Sequence, residues 1–387
     1  MVPPTTPDGD GQRAPGAHGD AAGPWGVADA PGTRCGGAAY DGTPGPHDAT
    51  GESPAPAGPP SGDTPDAPHG GASRGSGRGV RDKAPPVPAG QTGRRPSGGS
   101  LREQLGVVIA TRDRQRTLAA TLERLLALPE EPRVLVVDNA SRDGTAAMVT
   151  RSFPGVQLLR LPVNRGALAR NEGVKALRTP YVAFSDDDSW WEPGALRTAV
   201  DILAARPATG LLAAGITVGD EGRPDPLNSV LAASPLGDGS APGSRRVLGF
   251  LGCAAVVRRH AYLDVGGYHP LLFFGAEETL LAYDLAAAGW EVIHCPQVVA
   301  RHSPADAPRP GRQALVRRNE LLIAWLRRPL PVALRRTAAL CGDALHDPGA
   351  RRAARELLPR LPAALRHRRP LPPPVERAAR LVEGAPA

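Results

Sequence analysis

The sequence predicts an α/β fold: an open, mostly parallel sheet flanked by helices, with a disordered N-terminal arm and a helical, arginine-rich C-terminal region. Three observations predict it. Short β-branched apolar runs alternate with segments whose apolar residues recur at helical spacing, the pattern of successive βαβ units. Residues 1–100 hold 23 of the 46 Gly and 18 of the 44 Pro, and no Leu, Ile or Phe, so they cannot bury enough apolar surface to offset the entropy of ordering them. Residues 301–387 carry 18 Arg against seven acidic side chains. The expected division is an arm over 1–100, one α/β domain over 101–305, a helical extension over 306–345 and a partly disordered Arg/Pro-rich tail over 346–387.

The elements follow in order. GVVIAT (106–111) is a strand buried on both faces, and residues 115–127 place Leu118, Leu122, Leu125 and Leu126 on one side of a helix. VLVVD (134–138) is a second strand and DGTAAMVTRSF (143–153) a helix. VQLLRL (156–161) is a third strand, followed by the helix ALARNEGVKAL (167–177), which Thr179-Pro180 stops. YVAFS (181–185) is a fourth strand that runs into Asp186-Asp187-Asp188. LLAAGITV (211–218) reads as a strand, residues 220–244 as a mobile loop, and 247–259 as renewed apolar structure before a Val-Gly-Gly-Tyr turn. A helix over 276–288, short strands at 291–295 and 298–302, an amphipathic helix over 312–328 and a further helix at 331–340 complete the reading.

Composition excludes several function classes. The four cysteines (Cys35, Cys253, Cys295, Cys341) form no CxxC pair and read as isolated reduced thiols. MVPPTTPDGDGQ lacks the charged and apolar regions of a secretory signal, and no apolar run reaches membrane-spanning length. A cytoplasmic protein, peripheral at most on the inner membrane face, is expected. The formal charge of +7 concentrates in a tail with few aromatics to stack on bases, so no nucleic acid partner is expected. The first strand leads into Thr-Arg-Asp rather than a dinucleotide-binding glycine turn, and neither a P-loop nor a GxSxG elbow occurs.

In open α/β sheets ligands sit at the carboxyl ends of the strands. That rim would collect Thr111-Arg112-Asp113, Asp138-Asn139-Ala140-Ser141 and Asp186-Asp187-Asp188. A carboxylate there can accept hydrogen bonds from a nucleoside's ring N–H or ribose hydroxyls. Two carboxylates at i, i+2 can hold a hard divalent cation bridging diphosphate oxygens. Asp and Asn also form turns after strands, the alternative for Asp138 alone. Three adjacent carboxylates repel one another and call for a compensating cation.

The segments VVIATRDR, VLVVDNASRDGT, LPVNRGALARNEG, YVAFSDDDSWWEPGAL, FLGCAAVVRRHAYLDVGGYHP and FFGAEETLLAYDLAAAGWEV, in this order, resemble family 2 glycosyltransferases of bacterial type with the GT-A fold, across about residues 103–303. The resemblance implies a nucleoside-diphosphate-sugar donor bound by Thr111, Arg112, Asp138, Asn164, Arg170, Asp186 and Asp187. It implies a divalent cation, Mn²⁺ or Mg²⁺, at Asp186, Asp188 and His302, where an imidazole suits Mn²⁺ better. It also implies that Glu277 and Glu278 are the paired acids at a helix start beneath the acceptor, Glu278 being the base and Glu277 the reserve. Two positions depart from the family pattern: Leu280 stands where an Asp is common and Asp284 where an Arg is. Trp190 and Trp191 read as core packing rather than a sugar platform.

The implied activity is inverting, metal-dependent hexosyl or deoxyhexosyl transfer to an acceptor hydroxyl, in cell-surface glycan, glycolipid or secondary-metabolite glycosylation. The alternative is a catalytically inactive sugar-nucleotide-binding or scaffold protein that keeps the fold. The helix over 312–327 has Leu315, Leu322, Ile323 and Leu326 on one stripe amid Arg317, Arg318, Arg327 and Arg328. Such a helix can rest on an anionic bilayer or pack against the domain, and the Arg-rich region is the candidate peripheral membrane contact.

Overall fold

The computed structural model describes residues 100–219, 221–304 and 311–384, so the N-terminal arm and the 305/306 boundary lie outside the described residues. After a short helix α1 (Leu101–Gln104), the N-terminal half alternates strand and helix. The order is β1 (Leu105–Thr111), α2 (Gln115–Leu126), β2 (Arg133–Asp138), α3 (Thr145–Ser152), β3 (Gln157–Arg160), α4 (Ala169–Ala176) and β4 (Tyr181–Ser185). These four strands lie parallel in the order β3-β2-β1-β4, with β1 paired on both edges and buried along its whole length. β5 (Ser189–Trp191) follows the acidic triplet directly, and α5 (Ala195–Ala205) leads into β6 (Thr209–Val218).

β7 (Arg223–Pro224) and α6 (Pro226–Ala232) lie within 220–244, where the sequence predicts a mobile loop, and β8 (Arg245–Arg246) follows it. Asp225 caps α6 by accepting from Leu227 N–H at 2.8 Å, and Pro226 occupies its first turn, so the composition of a loop starts a helix here. Then come β9 (Ala255–Arg258), α7 (Arg259–Asp264), α8 (Glu277–Ala287) and β10 (Glu291–His302). β10 is one strand with an irregularity between Cys295 and Val299, not two. The full sheet order is β3-β2-β1-β4-β9-β6-β10-β5, with β7 on β6 and β8 on β10. β9 runs antiparallel to β4 and β6, and β5 antiparallel to β10; the other strands of that path share one direction. The α/β expectation therefore holds.

Period-2 alternation sends Val107, Ile109, Val134 and Val136 to one face, against Leu118 and Leu122 of α2, Val149 of α3 and Leu196 and Leu203 of α5. Val108, Ala110, Leu135 and Val137 face the other way, against Val174 of α4, Tyr262 of α7 and Leu281 and Leu285 of α8. Trp191 is fully buried in the first core, its Nε1–H donating to Ser185 Oγ at 3.2 Å, and Arg124 lies over the Trp190 ring at 3.9 Å.

A third core lies beyond the sheet. It is built from α9 (Arg312–Arg327), α10 (Leu330–Asp343), α11 (Pro348–Leu357), α12 (Leu361–Arg366) and α13 (Pro373–Gly384). Helices thus occupy most of the segment predicted as a partly disordered tail. Its Ala and Arg residues are strong helix formers, and Pro348 and Pro362 stand in first turns, where no hydrogen bond is lost. Ala350, Ala353, Leu357, Ala364 and Ala379 pack with Leu322 and Leu326 of α9, and with Leu272, Leu280 and Tyr283 from the sheet domain. Burying each such leucine stabilises by about 2 kcal/mol. α9 is therefore the centre of a bundle, and its arginines are largely used internally. Arg318 pairs with Glu356 at 3.0 Å, Arg327 with Asp284, and Arg328 with Glu376 at 2.7 Å, while Arg317 reaches Asp343 at 2.9 Å. Of the two readings of this helix, resting on a bilayer or packing against the domain, packing is the one observed.

Candidate active site

The ends of β1, β2 and β4 supply the floor. Thr111 closes β1 with its hydroxyl donating to Asp187 Oδ2 at 2.9 Å. Asp187 Oδ1 faces Arg114 at 3.3 Å, and its main-chain carbonyl accepts from the Thr121 hydroxyl at 2.7 Å. Burial, followed by the charge of Asp188, pushes the Asp187 carboxyl up to about 7. Thr111 and Asp187, both expected at the nucleotide, thus hold each other, and Arg112 lies 3.5 Å from Asp113.

At the end of β2 the buried Asp138 accepts from Ser141 N–H at 2.9 Å and pairs with Arg160 at 3.3 Å. Asn139 donates to Gly166 O at 3.0 Å and accepts from Arg165 N–H at 2.8 Å, tying β2 to the NRGA loop. Asn164 shapes the same loop by accepting from Gly166 N–H at 3.0 Å.

Asp186, Asp187 and Asp188 have three different environments. Asp186 forms an ion pair with Arg170, which projects from α4 and is buried with it. Asp188 is also buried, yet neither of its carboxylate oxygens accepts a hydrogen bond. His302 Nε2 stands 3.5 Å from Oδ1 and Arg114 Nη2 3.5 Å from Oδ2. The antiparallel pairing of β5 with β10, which sets His302 opposite Ser189, brings the histidine there. Among the described residues no group of three or more His, Cys, Asp or Glu side chains is placed to hold a metal. A carboxylate with open oxygens beside an imidazole nevertheless fits a divalent cation whose other ligands are substrate oxygens. Asp186, the third expected ligand, is paired with Arg170.

Glu277 and Glu278 open α8 from a bent loop. Phe273, Gly275 and Ala276 all have φ in the left-handed region (62°, 90° and 62°). For the two non-glycine residues that costs about 1–2 kcal/mol each. Phe273 O accepts from Ala167 N–H at 2.7 Å, an approach so close that a Cβ on Gly166 would lie 2.1 Å from that oxygen. Glu277 is buried, whereas Glu278 is half-buried. Burial lifts both carboxyls above the ordinary glutamate range, for Glu277 reinforced by the charge of Glu278, while Arg170 acts in the opposite direction on both. Asp186 also raises Glu278, so Arg170, Asp186 and the two glutamates form one electrostatic unit.

Three residues absent from the expected set border the candidate site. Arg114 faces both Asp187 and Asp188. Tyr268 is buried, its main chain held by Asn171 on both sides, and its hydroxyl has no hydrogen-bond partner. Gly252 leaves space between Glu278 and Tyr268: a Cβ there would lie 2.9 Å from Glu278 Oε1 and 3.4 Å from Tyr268 Oη. An Arg two residues after a strand-end Arg and a Tyr after paired glycines carry no local signal of such a role. The two departures from the family pattern now have a cause. Leu280 packs into the helical bundle and Asp284 pairs with Arg327 of α9, so both positions face the bundle.

The family model described as glycosyl transferase family 2 matches residues 106–266. The succinoglycan biosynthesis protein ExoU of Rhizobium meliloti (strain 1021) is 29% identical over 203 residues, which are 49% of this chain and 59% of that protein. An N-acetylglucosaminyl-diphospho-decaprenol L-rhamnosyltransferase of Mycobacterium tuberculosis is 27% identical over 283 residues, 61% of this chain and 92% of that one. Among solved structures, the mannosyltransferase PcManGT from Pyrobaculum calidifontis, in complex with GDP-Man and Mn²⁺, aligns with a TM-score of 0.45 at 23% identity, covering 72% of this chain and 74% of that one.

Proposed function

We propose, for a chain whose residues 106–266 belong to glycosyl transferase family 2, that it is an inverting, metal-dependent transferase moving a hexosyl or deoxyhexosyl group from a nucleoside-diphosphate sugar to an acceptor hydroxyl. The observation that carries this reading is the buried Arg170–Asp186 pair beside Glu277 and Glu278, with Asp188 and His302 3.5 Å apart at the neighbouring strand ends. Glu278, half-buried at the start of α8, takes the proton of the acceptor hydroxyl as its oxygen attacks the anomeric carbon. The bond from that carbon to the diphosphate oxygen breaks on the opposite face, which inverts the centre. Asp188 and His302 would hold a divalent cation, which when bound stabilises the charge of the leaving diphosphate. Arg170 neutralises Asp186 and keeps the carboxylate form of the base within reach.

One relative's name carries a decaprenol diphosphate acceptor. A lipid-linked acceptor for this chain, reached by peripheral contact with the cytoplasmic face of a membrane, is consistent with a helical region of net positive charge. Among the described residues no helix is long and apolar enough to cross a membrane.

The test is the melting temperature of the full chain with UDP, GDP and dTDP, each with and without Mn²⁺. A nucleotide at about 100 times its dissociation constant stabilises by about 2.7 kcal/mol. A metal-dependent shift with one nucleotide is expected, followed by release of that nucleotide from its sugar donors and loss of this turnover in Glu278→Gln. No shift with any nucleotide would favour the non-catalytic scaffold.

A further inference from the structure

The bundle reaches into the site through one residue of α9. Asn319 is fully buried, and its Nδ2 lies 3.0, 2.7 and 2.6 Å from the carbonyl oxygens of Leu272, Phe274 and Gly275. Phe273 O, the carbonyl between them, is taken from the other side by Ala167 N–H. Four successive carbonyls of the loop that presents Glu277 and Glu278 are thus held, three by α9 and one by the NRGA loop. An amide side chain can turn over about its last bond, and here the neighbouring Arg318 prevents it. Arg318 Nε and Nη2 donate to Asn319 Oδ1 at 3.0 and 2.7 Å, which leaves the Nδ2 hydrogens pointed at the loop. Arg318 Nη2 also reaches Leu272 O at 3.1 Å, and Nη1 is fixed by Glu356 of α11 at 3.0 Å. The loop needs such a hold, because left-handed φ at Phe273 and Ala276 persists only where surrounding contacts over-determine it.

We infer that Asn319, oriented by Arg318, is a positioning residue for the catalytic glutamates, and that the C-terminal bundle is thereby a working part of the catalytic centre. Asn319 contacts no reacting group; it acts through the main chain of residues 272–275. The inference rests on the transferase reading for its kinetic consequence, but the mechanical consequence is independent of it.

The test compares the full-length wild type with Asn319→Leu, similar in size but without donors, and with Arg318→Lys, which keeps the charge beside Glu356 but cannot bracket the amide. Amide hydrogen exchange reads the clamp itself. Peptides covering 271–279 are expected to exchange about tenfold faster in both variants, with peptides from β1 and β4 unchanged. Donor turnover, followed as nucleoside diphosphate released with water as acceptor, is expected to fall about 100-fold in kcat with KM for the donor unchanged, as for a misplaced catalytic group. Unchanged exchange at 271–279, or a loss of turnover no greater than the loss of folded protein, would overturn the inference. If Asn319→Leu does not fold, Arg318→Lys decides by the same two readouts. Wild type that neither binds nor turns over any donor would defeat the transferase reading, while the exchange result would still decide the clamp.

Discussion

Three adjacent carboxylates at the end of β4 divide their roles because each meets a different neighbour. Asp186 finds Arg170, Asp187 finds Thr111 and Arg114, and Asp188, whose oxygens accept no hydrogen bond, lies between His302 and that same Arg114. The triplet stands out in the sequence; the division does not, because the deciding partners come from other elements. Asp187 carries a pH signature. Its carboxyl titrates at about 7 in the folded chain and near 4 when unfolded, so the fold holds a proton that the unfolded chain releases. Stability should therefore fall as pH rises from 4 to 7, by about 1.4 kcal/mol per unit at most from this group. Urea unfolding of Asp187→Asn across pH 4–8 should show a shallower slope than wild type; equal slopes would place the source elsewhere. Tyr268 makes the opposite kind of case. A buried hydroxyl without a partner costs about 1–3 kcal/mol, so Tyr268→Phe should melt at the same temperature or higher. If that hydroxyl serves the substrate, donor turnover should fall about tenfold, the usual weight of one lost hydrogen bond. Unchanged turnover would remove Tyr268 from the site.

At the scale of elements, the strands at 106–111, 134–138 and 181–185 were legible as apolar runs that pair on both edges, whereas β9, also paired on both edges, read only as apolar structure. The helices of 348–384 were not, because proline and arginine read as disorder until the third core is seen to bury Ala350, Ala353, Leu357 and Ala379. The placement of α8 depends on two glycines used in different ways. At Gly166 a methyl group would meet main-chain oxygen at 2.1 Å in a residue with φ of 58°, and neither can yield. Gly166→Ala should cost more than 2 kcal/mol in unfolding free energy, about 1–2 for the left-handed backbone and more for the clash. At Gly252 the obstructing atom is the end of the Glu278 side chain, which can swing away. Gly252→Ala should therefore keep the wild-type melting temperature within about 2 °C. Turnover should nonetheless fall, because the carboxylate that moves is the proposed base. A large drop in melting temperature would show that the space between Glu278 and Tyr268 serves packing instead.

For the molecule as a whole, the C-terminal charge excess was legible in composition, but which arginines remain free was not. Arg318 and Arg328 are spent inside the bundle and Arg327 on Asp284 of α8. Arg335, Arg351, Arg355, Arg366, Arg369 and Arg377 are exposed. The exposed large apolar side chains concentrate in the same region: Leu330, Leu334, Leu345, Leu358, Leu365 and Leu381. Along α10 and just past it, Leu330, Leu334, Ala338, Cys341 and Leu345 are all exposed at spacings of four, four, three and four, which keeps them within one narrow stripe. Among the described residues α10 packs chiefly against α9 and α11, and none of them covers that stripe. An anionic bilayer matches it in both respects, since each leucine inserted contributes up to about 2 kcal/mol and each arginine near the surface about 1 kcal/mol. The full chain should therefore sediment with phosphatidylglycerol-containing vesicles at low salt and less so at high salt, because screening weakens the arginine contribution. Leu334→Glu should abolish binding while leaving the melting temperature and nucleotide shifts intact, since Leu334 is 56% exposed and touches neither core nor site. Wild type that stays in the supernatant at low salt, or a Leu334→Glu variant that sediments as well as wild type, would rule out this face as the contact.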